Sequence, residues 1–291
     1  MDMPNRSKIA GCFFMILGFI GTAACVSHLK LAKHHYSRGM EQARAYRTDA
    51  AFSSFKSARL EAAAAVKGRT DAQSYLVKGM AELELGLWED AEESFRNAFQ
   101  QGFSQAEGWA SDLALFGAAR ALENLELSGA SRRIYDHLLD QSRLKPVLLL
   151  AAERVVEADL AEVLDTEKSQ RISKLQSLQK RLDKLIGKDM ACGYFHYLAA
   201  QVAVHREDYR RSFEEAVTAK ELGLLSLETD RDNDLQIIFC YDRLEKSLTG
   251  EALENFQASY IRWIKKWKWP GPKTPGWKTD RKEERTHEAD D

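Results

Sequence analysis

The sequence predicts an all-α fold in which helix hairpins repeat along the chain behind one apolar segment. Three observations predict it. The first is a recurring spacing: Gly39, Ala51, Phe55 and Ala58 are followed forty residues later by Gly79, Ala91, Phe95 and Ala98. Paired helices explain that spacing, because a small residue lets a second helix approach, another sits where the two cross, and an aromatic one turn on fills the groove. The second is the placement of the five prolines. Pro4 lies at one end and Pro270, Pro272 and Pro275 at the other, leaving only Pro146 inside a long stretch rich in the strong helix formers Ala, Leu, Glu, Lys and Arg. The third is an uncharged apolar run over residues 9–29.

Residues 1–8 form a short flank containing Arg6 and Lys8, and residues 9–29 are long enough to cross a bilayer as a transmembrane or signal-anchor helix. Three fates stay open: retention as an anchor, cleavage near Ala23 or Ala24, and lipidation. Thr22-Ala23-Ala24-Cys25 resembles a bacterial lipobox, which implies a lipid on Cys25. Basic residues flank both ends, Arg6 and Lys8 before the segment and Lys30, Lys33 and Arg38 after it. A short flank ahead of a first apolar segment stays inside, so the reading is a single-pass membrane protein whose soluble domain is extracytoplasmic, on the periplasmic side.

Residues 31–269 carry the repeats. The first pair covers 31–67 and breaks at Gly68. The second, 71–104, has Tyr75 and Gly79 on one helix, Gly86 at the turn, Trp88 to Ala91 opening the partner and Gly102 as a stop. The third, 106–142, aligns Ala118 and Ala130 with the small positions, Ile134 with the aromatic and His137 with the last small residue. A fourth, 146–187, has two apolar helix faces but no signature. In the fifth, Glu207 to Ala216 aligns with Glu89 to Ala98, so Tyr209 takes the place of the crossing alanine and should push its helices apart. A sixth places Cys240, Ala252, Phe256 and Ser259 in the four positions.

The Gly, Ala, aromatic, Ala pattern resembles the tetratricopeptide repeat (TPR). That resemblance implies a TPR-like α-solenoid whose first helices line a concave surface for a protein or peptide partner. By phase, Gln42 and Tyr46 in the first repeat, Lys78, Glu82 and Leu85 in the second, and Gln201 in the fifth face that groove. The spacing near forty exceeds the family's thirty-four, which leaves room for a more irregular solenoid.

At the C-terminal end Leu253, Phe256, Tyr260, Ile264 and Trp267 form a stripe beside Arg262, Lys265, Lys266 and Lys268. A closing helix that caps the solenoid and an interfacial helix that lays Trp263, Lys266, Trp267 and Trp269 on a bilayer both fit it. Residues 270–291 are charged without apolar periodicity and read as a disordered tail.

No chemistry-bearing motif stands out: there is no P-loop, no dinucleotide glycine fingerprint, no His-Glu-x-x-His and no Cys-x-x-Cys. His28, His34 and His35 read as polar residues at headgroup level, and His196 and His205 as solvated. The acidic run Asp230 to Asp234 lacks the glycine and distal glutamate of a calcium loop, so Glu228 to Asp234 reads as a helix-capping connection. Cys192 and Cys240 read as small core thiols. A formal charge of −2 with interspersed signs argues against nucleic-acid binding. The expectation is a non-enzymatic membrane-tethered scaffold, without cofactor or metal, that binds another protein and assists assembly, folding or secretion of a membrane-associated complex. Self-association as an architectural protein is the alternative.

Overall fold

The computed structural model describes residues 27–164 and 166–268, which contain twelve α-helices and no strand. They are α1 (His28–Arg44), α2 (Thr48–Gly68), α3 (Ala72–Glu84), α4 (Trp88–Gln101), α5 (Gly108–Asn124), α6 (Ser128–Gln141), α7 (Lys145–Leu164), α8 (Lys168–Lys188), α9 (Gly193–His205), α10 (Tyr209–Leu222), α11 (Leu227–Ser247) and α12 (Gly250–Trp267). None of these helices is long and apolar enough to cross a membrane. Most of the apolar segment, with Cys25, lies outside the described residues, as do Trp269 and the tail. The last residues assigned to that segment do fall within them: Ser27 caps α1 by accepting from Lys30 N, and His28 and Leu29 open its first turn.

The chain divides into two compact units, 1–165 and 166–291. The division falls inside the fourth expected pair. In the first unit α7 packs on α6 and α5, and in the second α8 packs on α9.

Local chemistry sets the hairpins of the first unit. Helix α4 buries Ala91, Ser94, Phe95 and Ala98 at three- and four-residue spacing, carries Glu89 and Asp90 in its first turn, and ends at Gly102 with φ 74°. Helices α1, α3 and α5 each end in one repeated turn. The residue at 46, 86 or 126 is left-handed, and two hydrogen bonds close the turn, as in Leu87 N to Glu82 O at 2.9 Å and Gly86 N to Leu83 O at 3.2 Å. Glycine supplies that conformation at 86, whereas Tyr46 and Glu126 adopt it at a cost of about 1 kcal/mol.

Counting from those turns corrects the third pair. The four positions are Ala119, Ser131, Tyr135 and Leu138, all buried, one residue beyond the expected set; Ile134 is only half-buried and His137 is exposed. The aromatic is therefore retained, and the ring of Tyr135 lies 5.8 Å from that of Phe116. Phe95 reaches furthest: its ring abuts Gly79 in its own hairpin and Gly117 in the next. At 1% exposure, burial of that ring contributes about 2–3 kcal/mol.

In the second unit the equivalent turn is left-handed at Glu207, with Asp208 N bonded to Ala203 O at 3.0 Å. That shifts the fifth pair by three residues from its sequence alignment. The small contacts are Ala200 against Ser212, whose hydroxyl donates to the Ala200 carbonyl at 2.9 Å, followed by Ala216 and Ala219. Tyr209 is only the first residue of α10; it meets Phe239 of α11 edge-on at 5.9 Å and leaves α9 and α10 free to close. The sixth pair forms differently from its expected signature. Cys240 is buried but donates to Ser212 of the preceding hairpin, Ala252 is exposed, and aromatic rings separate α11 from α12. Helix α11 begins at Leu227, capped by Ser226, so Glu228 to Asp234 are its first turns and not a connection.

Candidate protein-binding surface

Within the first unit α1 packs on α3, α3 on α5 and α5 on α7, so the first helices form one continuous layer. The second helices α2, α4 and α6 cover it from the other side and lie farther apart.

Two residues expected there tie a first helix to the second helix of its own hairpin in the same manner forty residues apart. Gln42 Oε1 accepts from the Ser54 hydroxyl at 2.7 Å, and Glu82 Oε2 accepts from the Ser94 hydroxyl at 2.6 Å. Glu82, expected to face the groove, is wholly buried. Its other oxygen takes Arg59 Nε at 3.0 Å and Lys78 Nζ at 3.2 Å, and Arg59 Nη2 goes on to Asp90 at 2.8 Å. A carboxylate buried without partners would be costly, and here two cations and a hydroxyl supply them. Lys78, bound to Ser94 and Glu82, is committed to the same network.

Tyr46 is 87% exposed on its left-handed turn, and Leu85 is half-buried at the C-cap of α3. These two are the expected residues that present apolar surface. Gln201 belongs to the second unit, where it donates to the Tyr197 hydroxyl at 2.6 Å.

A second polar cluster was not foreseen. The Tyr135 hydroxyl donates to Glu123 Oε2 at 2.8 Å, with Arg120 and Arg154 each 3.9 Å from that carboxylate and Arg154 also 3.0 Å from Glu157. Burial, and then the neighbouring Glu123 charge, push the Tyr135 phenol well up. The residue that would have revealed the cluster is Tyr135 itself, hidden by the one-residue error in register.

The second unit holds its own polar chain. His196 Nδ1 lies 2.7 Å from Glu215 Oε2 and Nε2 lies 3.3 Å from the Met190 carbonyl, so this ring is bonded rather than solvated. The hydrogen bond that the imidazole donates to Glu215 holds it above its usual value of 6.5, against the opposing effect of burial. Glu215 also meets Arg211, which pairs with Asp183 of α8. His205 is shifted the other way, lowered by burial and then by the Arg171 charge. Cys192 and Cys240 are free, buried thiols.

At the C-terminal end Trp263 packs 5.5 Å from Phe213, Trp267 donates to Glu221 at 2.6 Å, and Lys266 pairs with the same carboxylate. Among the described residues no group of three or more His, Cys, Asp or Glu is placed to hold a metal ion. His28 pairs with Glu61 at 2.7 Å, while His34 and His35 lie ring to ring at 5.8 Å. Compared with known proteins, the chain matches no family model, no curated sequence and no solved structure.

Proposed function

We propose that this chain is a membrane-tethered scaffold of TPR-like hairpins that binds another protein or peptide and assists assembly, folding or secretion of a membrane-associated complex. The observation that carries the reading is the continuous layer of α1, α3, α5 and α7, a surface able to receive an extended peptide or a partner helix across several hairpins. Tyr46 and Leu85 are the apolar contacts at its edge, and the paired charges around Glu82 hold two hairpins in register beneath them. The apolar run over residues 9–29 supports the tether, and the short flank ahead of it favours a soluble part on the extracytoplasmic side.

A photo-crosslinking residue placed in cells at Tyr46 or Leu85, with Arg96 on the outer helix α4 as control, tests the reading. Adducts to another protein from the first two sites and not from Arg96 are expected. An adduct only to a second copy would favour the architectural alternative, and adducts no stronger than at Arg96 would overturn the scaffold.

A further inference from the structure

Helix α12 is fastened to its unit by rings. Tyr241 of α11 stacks on Phe256 and Tyr260 of α12 with centroids 5.3 and 3.9 Å away, and Phe213 of α10 meets Phe256 and Trp263 at 5.1 and 5.5 Å. The small-residue crossings that close the earlier hairpins have no counterpart here. At the far end one carboxylate closes the contact: Glu221, near the end of α10, accepts from the Trp267 indole at 2.6 Å and pairs with Lys266. Lys220 Nζ lies 5.7 Å from the Trp267 ring while bonding Asp230 and Asp234.

The composition of α12 is lopsided. Residues 255–268 include Arg262, Lys265, Lys266 and Lys268 and no acid. These four cations are exposed, whereas Phe256, Tyr260, Trp263, Ile264 and Trp267 face the unit. Tryptophan and tyrosine on one side with lysine and arginine on the other suit an anionic lipid surface, which attracts the cations and accepts the amphipathic rings at headgroup depth. The docked position is imperfect for one of them, because the Tyr260 hydroxyl is buried with no hydrogen-bond partner among the described residues. A headgroup layer would hydrate it.

We propose that α12 is a releasable strap that exchanges its aromatic face between α10–α11 and an anionic bilayer surface, with Glu221 as the clamp. This rests on the membrane tethering proposed above, which keeps a bilayer within reach.

The full-length chain, reconstituted into brominated-tail vesicles of phosphatidylcholine or of phosphatidylglycerol, provides the test. Residues 9–29 contain no tryptophan, so vesicle flotation reports the tether and bromine quenching of tryptophan emission reports the strap. We expect quenching severalfold stronger in phosphatidylglycerol and stronger again in Glu221→Gln at unchanged helical circular dichroism. The lipid dependence should be lost when Trp263 and Trp267 are both replaced by Phe. Floating chain with equal quenching in both lipids, unmoved by Glu221→Gln, overturns the strap and spares the tether. Failure to float overturns the tether; the same vesicles mixed with soluble chain then decide the strap, which absent quenching overturns. A dimer formed by Glu221→Gln without lipid quenching overturns it as well.

Discussion

At Phe95 one ring is shared by two hairpins, and the two glycines beside it are unequal. A methyl group on Gly79 would meet one side of the ring at 3.0–3.2 Å, where a small shift relieves it, but one on Gly117 would lie 2.3–2.6 Å from the far end of the ring. Gly117→Ala should therefore destabilise by about 1–3 kcal/mol despite the better helix propensity of alanine. Gly129, with nothing within 4 Å of its would-be methyl, should show the propensity gain instead, about 0.5–1 kcal/mol on Gly129→Ala. Urea unfolding of both variants checks the opposite signs. The turns offer a parallel comparison: Gly86→Ala should cost about 1 kcal/mol, and Glu126→Gly should recover up to a similar amount, because both residues sit at positive φ.

Between helices, the polar ties decide more than the sequence discloses. Glu82→Ala leaves Arg59 and Lys78 without their shared buried carboxylate. Arg59 is 38% exposed and partly rehydrates, so the expected loss is about 2 kcal/mol rather than the 3–5 of a sealed pair. Circular dichroism melting of the variant measures it. In the second unit His196 has a raised folded value. The stability it contributes is fully present below about pH 6.5 and lost as pH rises through that folded value. The denaturant midpoint should fall from about pH 6 to about pH 8 more in the native chain than in His196→Gln. Helix positions in the first three hairpins are readable because Gly, Ala and Phe at fixed spacing are chemically distinctive. Register is not, where several small residues compete: α5 offers Ala114, Ala118, Ala119 and Ala121, and the one that packs lies a residue beyond the one the spacing predicts. In the fifth hairpin the left-handed residue is Glu207, which nothing in composition marks as a turn. The burial of Glu82 is not legible in the repeat phase because its partner Arg59 belongs to the preceding hairpin.

At the scale of the molecule, the boundary near residue 165 separates two units with their own packed helices. Repeat stability is close to a sum of local terms, so residues 27–164 and 166–268 produced separately should each give a helical spectrum and a cooperative melt. A unit that stays unfolded alone would show that the boundary is only geometric. The fourth pair, where periodicity survived in the sequence without a signature, is where that boundary falls. One earlier feature bears on how such a chain changes length. Left-handed turns at 46, 86 and 126 stand forty residues apart, and the rings of Phe55, Phe95 and Tyr135 keep their place relative to them, as do the small residues Ala51, Ala91 and Ser131. An insertion or deletion inside the first unit preserves those contacts only in whole multiples of that interval. Any other length change has to be absorbed in the segments that join one hairpin to the next, so gene duplication or loss of a complete hairpin is the step by which this unit grows or shrinks.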